Sequence, residues 1–370
     1  MVPDPGSVFP YSYHLDANWY HAAAGHAIVL VDEKEQIFFG NKYKFRSAPE
    51  PEAQQLVYGP AGTMGIQRAW SDTVYPGVTQ DRALFFTPDY VADLFGNFSA
   101  ASHKYDMAWH VRGGMTSDLK LEPLAWSDTA LGYNALSNVR HATTDKAWSA
   151  TMKLKDRTVR LLAAGGTETE VIAADGYYRL GKDDEKVPAF YGRRTANSTI
   201  YGSALDISGA KDGCVKSVTQ EGGLEAGFAL LKVETLKGTD LCFVAYRPGA
   251  YKAGGIETDA QQAFVLMDGN DVKAMYLGGG KYLKVGGISI ERSEPGLAYV
   301  EKVLGGAYVV ANPSPTAACV TVKLPALAGL EAFALDAKGQ RTGPAAITKA
   351  GEAISVELKA GAKVEFSPKR

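Results

Sequence analysis

Two histidines near the start of the chain are its first candidates for chemistry. His21 and His26 stand in Trp19-Tyr20-His21-Ala22-Ala23-Ala24-Gly25-His26, and the apolar run Ala27-Ile28-Val29-Leu30-Val31-Asp32 follows at once. A second polar cluster comes later, His103-Lys104-Tyr105-Asp106-Met107-Ala108-Trp109-His110. The two segments hold four of the six histidines in the chain. Histidine titrates closest to neutrality and is the commonest metal ligand, so this concentration points to acid–base or metal chemistry.

Spacing limits what these residues can do together. His21 and His26 are an odd number of residues apart, so on a regular strand they face opposite ways. They share a ligand only if Gly25 marks a turn. A metal needs further ligands, and the nearby sequence supplies none at metal-site spacing. The plainer alternative for His26 is a hydrogen-bonded histidine at a strand end. The second cluster alternates: His103, Tyr105, Met107 and Trp109 fall on one strand face, with Lys104, Asp106, Ala108 and His110 on the other. Either face suits a sugar groove, with rings stacking on the sugar and charged tips holding its carboxylates. An ordinary amphipathic strand explains the same pattern. Arg193 and Arg194 are adjacent and face opposite ways; one suits bidentate contact with an acidic group, and the other reads most simply as a surface charge. Arg82 and Arg112 are similar candidates.

Strands must position these side chains. Short apolar runs recur at Ala27–Val31, Leu84–Thr87, Tyr90–Phe95, Thr158–Leu162, Glu170–Ala173, Thr199–Leu205 and Gly227–Val233, with turn signals between them at Asp212-Gly213, Asp268-Gly269-Asn270-Asp271, Gly278-Gly279-Gly280 and Gly286-Gly287. Helical periodicity is scarce; Glu50 to Val57 reads as one short surface helix. Many short strands with tight turns indicate an all-β fold, a large multi-strand antiparallel β-sandwich. The composition shifts near residue 305. Alternation in Glu352–Leu358 and Lys363–Phe366 then predicts a small antiparallel β domain over 306–370 behind a sandwich over 1–305.

The bulk numbers exclude several classes. The chain has 370 residues, with 46% hydrophobic, 22% charged and a formal net charge of −2. That balance argues against broad electrostatic binding to nucleic acid or an anionic membrane, while leaving room for a local basic patch against a polyanion. Cys214, Cys242 and Cys319 form no CxxC pair and read as small buried apolar residues. No run is long and apolar enough for a membrane-spanning helix. Met1-Val2-Pro3-Asp4-Pro5 has no signal-peptide character, so the expectation is either a cytoplasmic protein or a natural start further upstream. G-x-S-x-G, P-loop and H-E-x-x-H motifs are absent.

Four segments together resemble the C-terminal half of the heparinase II/III-like polysaccharide lyases. They are Gly25-His26-Ala27-Ile28-Val29-Leu30-Val31-Asp32 with Gln36, Tyr90-Val91-Ala92-Asp93-Leu94-Phe95, His103 to His110, and Phe190-Tyr191-Gly192-Arg193-Arg194-Thr195. The resemblance covers roughly residues 10 to 300. It implies cleavage of uronic-acid-containing polysaccharide, such as alginate or a glycosaminoglycan, by β-elimination. That chemistry needs a group that neutralises the uronate, a base for the C5 proton and an acid for the leaving oxygen. In such lyases these come largely from an α/α toroid, and the sandwich carries a metal site, often zinc. His26 matches the last metal-ligating histidine, although Ala27 stands where asparagine is usual. The other zinc ligands are expected upstream of residue 1, and the toroid there or on a separate chain, so the ligand set in this chain is incomplete. His21, His103, Tyr105, Trp109, His110, Arg112 and Arg193 are the expected substrate-side residues, an acidic polysaccharide the expected partner, and the periplasm or exterior the expected location. The competing expectation is a non-catalytic carbohydrate-binding or structural β-sandwich.

Overall fold

The computed structural model describes residues 16–36, 64–178, 186–269 and 271–368. The expected helix at 50–57 lies outside them. The fold is all-β and of sandwich class, with two large antiparallel sheets. The chain divides into two compact units. Apart from short segments, the first runs to Gln220 and the second from Glu221.

The first unit carries both polar clusters. Its strands are β1 (Val29–Val31), β2 (Gly65–Tyr75), β3 (Val78–Phe86), β4 (Tyr90–His110), β5 (Gly114–Ser117), β6 (Glu122–Pro123), β7 (Ser137–Thr144), β8 (Trp148–Lys153), β9 (Thr158–Ala163), β10 (Thr169–Tyr177) and β11 (Lys186–Asp206). They pair in the order β2-β3-β4-β11-β10-β7-β6, with β1 on β4 and β9 on β11. β4 and β11, 21 residues each, form the spine. Their ladder runs from Ala189↔His110 to Asp206↔Tyr90 and is irregular only between Ala196 and Ser198.

Both faces of this spine are buried. On one, Val29, Val31, Tyr105, Met107, Trp109, Phe190 and Tyr201 share a core. On the other, Trp19, Tyr20, Leu30, Ala108, Tyr133, Ile172 and Tyr191 form a second core. The alternation expected for residues 103–110 therefore holds. Apolar burial stabilises such a strand at roughly 25 cal/mol per Å² on each side, which explains near-continuous apolar character where a one-sided sheet would show simple alternation.

The second unit has its own core, including Leu230, Phe243, Val265, Met275, Leu277, Val300, Val320 and Val356. Strand Ile288–Lys302 pairs with both Tyr308–Ala311 and Ala318–Lys323, so ladders of this sheet cross residue 305. The expected strands near the C-terminus are found at Ala353–Leu358 and Lys363–Ser367. One turn expectation is corrected. Gly278-Gly279-Gly280 lies inside the strand Asp271–Val285, where the pairing register shifts and Gly279 has φ +74°. The glycines accommodate a bulge rather than ending the strand. The three cysteines are unpaired, and only Cys242 is fully buried.

Candidate functional site

A strained turn builds the site. β1 ends at Val31, and Lys34 N donates to Val31 O at 3.0 Å, leaving Asp32 and Glu33 as a two-residue turn. Both have positive φ, 54° and 58°. Two successive left-handed residues are the signature of a tight primed turn, which normally takes Asn-Gly. A side chain there costs about 1–2 kcal/mol per residue, so strain of this kind points to a functional constraint.

The turn carries two carboxylates to the end of the β4–β11 ladder. Asp32 accepts from the Lys104 backbone N–H at 3.1 Å and lies 2.9 Å from His103 Nδ1. Glu33 pairs with Lys104 Nζ at 2.9 Å and with Arg193 Nη2 at 2.7 Å. Arg193 also grips Asp106 bidentately, Nε to Oδ1 at 2.8 Å and Nη2 to Oδ2 at 2.7 Å. Register explains the contact, because Arg193 and Asp106 are direct cross-strand partners. Tyr133 donates its hydroxyl to Asp106 Oδ2 at 2.5 Å, and the Arg193 guanidinium stands 5.9 Å from its ring centroid. Tyr133 reaches this position from the short turn Tyr133–Ala135. Gly132 precedes it at φ +82°, where an added Cβ would lie 2.7 Å from Ala24 Cβ.

The electrostatics follow from this packing. Burial opposes ionisation of Glu33, but Lys104 and Arg193 outweigh it and hold its carboxyl below the usual range. Burial and the neighbouring Glu33 push Asp128 upward. Burial and the Asp106 carboxylate raise Tyr133 well above an ordinary phenol, so it remains a proton donor. Burial alone would ease proton loss from Arg193, yet Asp106 reverses that and fixes the charge. Asp32, Glu33, Asp106 and Asp128 thus gather around Lys104 and Arg193. Arg193 makes the expected bidentate contact, but its partners belong to the chain itself.

The structure scatters the remaining expected substrate-side residues. His103 sits half-buried beside Asp32. Tyr105 is 0% exposed and donates to Asn197 O at 3.1 Å. Trp109 packs edge-on against Trp148 at 6.0 Å in the core. His110 lies between Trp19 and Tyr191, 5.5 and 5.9 Å between ring centroids. Burial pushes its imidazole down to about 4, so it is neutral at pH 7. These buried rings offer no open face for sugar stacking. His21 is exposed on the segment before the Ala23–Gly25 turn, and Arg112 stacks on Tyr178 at 5.0 Å. Glu33, Asp128 and Tyr133 escaped the sequence reading. Only the Asp32-Glu33 pair, ending an apolar run without a glycine, carried any signal.

Zinc does not fit the residues described. His26 directs Nε2 to within 3.2 Å of the Tyr20 carbonyl oxygen. Among the described residues no group of three or more His, Cys, Asp or Glu side chains could hold a metal.

Fold and site together define a sandwich-class all-β protein with a partly buried ion network on one strand pair. No family model matches the chain. No curated protein matches it either. Among solved structures, it is similar to a heparan sulfate lyase from Pedobacter heparinus, with 15% identity and a TM-score of 0.45, over 67% of this chain and 35% of that one. It is also similar to a heparinase III, with 12% identity and a TM-score of 0.48, over 66% of this chain and 34% of that one. The chain spans about a third of the length of these structures.

Proposed function

We propose that this chain is the β-sandwich portion of a polysaccharide lyase. It would help shape a cleft for a uronic-acid-containing polysaccharide, while an α/α toroid on other polypeptide supplies the eliminating groups. One observation carries the reading. The four segments behind the sequence resemblance meet on three neighbouring strands: Val29 of β1 pairs with Met107 of β4, and Met107 pairs with Gly192 of β11. The Tyr90–Phe95 segment continues the same ladder against Tyr201–Asp206.

The side chains support division of labour with another polypeptide. β-Elimination requires a base and an acid with free access, and a cation for the uronate. Tyr133 is committed to Asp106, His110 is buried, and Arg193 is held by Asp106 and Glu33. None of these is free to serve the reaction. For a substrate of this class the proposed location is the periplasm or the cell exterior.

The test is incubation of the purified chain with alginate, heparan sulfate, chondroitin and hyaluronan, following absorbance of the unsaturated uronyl product. The chain alone should give none. Adding a toroid-bearing polypeptide should produce it from one polysaccharide. Product from the chain alone would overturn the division of labour. No product with any toroid, alongside polysaccharide binding by the chain alone, would instead identify a carbohydrate-binding sandwich.

A further inference from the structure

Arg194, the neighbour that read as a surface charge, is 8% exposed. Its guanidinium is tightly held. Nε donates to Thr169 Oγ1 at 2.8 Å, and Nη1 donates to Thr199 Oγ1 at 3.2 Å and to Ile200 O at 2.9 Å. The Tyr201 ring centroid lies 4.4 Å away. No carboxylate among the described residues pairs with it, and Nη2 has no partner among them. Three other partly buried arginines do have carboxylates: Arg68 has Asp81, Arg82 has Asp93, and Arg193 has Asp106 with Glu33; Arg292, 5% exposed, is held like Arg194 by neutral oxygens alone.

The sheet leaves a notch at this point. The β10 ladder ends at Glu170↔Arg193, and the β9 ladder begins at Ala163↔Ser203. Between them this edge of β11 has no strand partner, and Arg194 spans the gap by bonding the Ile200 carbonyl. Thr199 is turned into the same notch. Its oxygen accepts from Arg194, which leaves its own hydroxyl hydrogen uncommitted among the described residues. The Thr169 hydroxyl is already spent on Thr167 O at 3.0 Å.

We propose that this notch binds an oxyanion, a sulfate or carboxylate group, through Arg194 Nη2 and the Thr199 hydroxyl. A buried cation without a counter-ion is unfavourable. Nη2 still carries N–H donors that the chain does not use, and the contacts of Nε and Nη1 have already met the ordering cost of binding. The group could belong to an acidic sugar or be a free inorganic anion; both present the same oxygens. The site stands independently of the lyase reading, because any oxyanion of this size satisfies it.

Calorimetric titration at constant ionic strength tests the assignment, with sodium sulfate, sodium glucuronate and uncharged glucose. The wild-type chain should bind at least one of the two anions and not glucose. Glucuronate alone identifies a sugar carboxylate, and sulfate binding extends the site to free anions. Arg194→Gln should abolish binding. Thr199→Val keeps the charge and the ring contact but removes the hydroxyl, both as donor to the anion and as acceptor for Arg194 Nη1, and should weaken binding roughly tenfold or more. Thr199→Val decides if Arg194→Gln fails to fold. No anion binding in the wild type, or equal binding in the wild type and Thr199→Val, overturns the proposal. The lyase reading is judged by product formation, so either can fail without the other.

Discussion

Removing the Arg193 guanidinium would leave Asp106, whose side chain is 1% exposed, with Tyr133 as its remaining partner among the described residues. Breaking a buried pair from one side costs roughly 3–5 kcal/mol. Arg193→Gln should therefore destabilise the chain by that order in urea unfolding. Adding Asp106→Asn should recover part of the loss, since the carboxylate then no longer lacks its cation. His110 provides a second residue-scale test. Its folded value, about 4, lies below the ordinary 6.5. Between those limits the unfolded chain binds a proton that the folded chain refuses, so stability falls as pH falls. It should be fully present above about pH 6.5 and decline by about 3 kcal/mol on approaching pH 4. His110→Phe should flatten that slope in unfolding measured across the window. If the slope persisted unchanged, another group would be its source.

At the scale of elements, the Asp32–Glu33 turn sets strain against ion pairing. Glu33→Ala loses the links to Lys104 and Arg193 and keeps the strained backbone. Glu33→Gly loses the same links and relieves the strain. Their difference, about 1 kcal/mol in favour of glycine, isolates the backbone term; equal stabilities would mean the turn is unstrained. The strands themselves were legible in the sequence. Apolar runs located the cores of β1, β4, β9, β10 and β11, and alternation sorted residues 103–110 onto their two faces correctly. What locates Arg193 on Asp106 is the register of two strands distant in sequence, and local pattern does not encode it. The same limit turned Arg194 into an expected surface charge, because neither the gap between β9 and β10 nor the irregularity in β11 leaves a compositional trace. The glycine run at 278–280 looked like a turn for a related reason: a bulge and a turn both use glycine for positive φ.

For the whole molecule, the formal net charge of −2 and the engaged state of Arg193 and Lys104 leave little spare positive potential around the candidate site. Attraction of an acidic polysaccharide to this chain alone should be weak and should fade as salt is raised, because exposed charges are screened over about 10 Å at 0.1 M. A binding titration across ionic strength checks this; tight, salt-insensitive binding would contradict it. The chain dialysed against dilute zinc should retain less than one metal per molecule by elemental analysis, since His26 is turned to a backbone carbonyl and lacks co-ligands among the described residues.

The irregularity in β11 has the character of a phase change. Before Asn197, even-numbered Phe190 belongs to the Trp109 core and odd-numbered Tyr191 to the opposite one; beyond it, odd-numbered Tyr201 and Leu205 take the Trp109 side. Length changes along this strand are therefore not equivalent. Deleting Asn197 would restore simple alternation and leave each downstream side chain on its present face, losing the acceptor for the Tyr105 hydroxyl and the Asn197 Nδ2 bond to Ala100 O, and shifting the Arg194 bonds that span it. Deleting Gly192 would instead turn one arm of the strand inside out relative to the other. A deletion scan read by thermal unfolding should show one tolerated position within an intolerant strand.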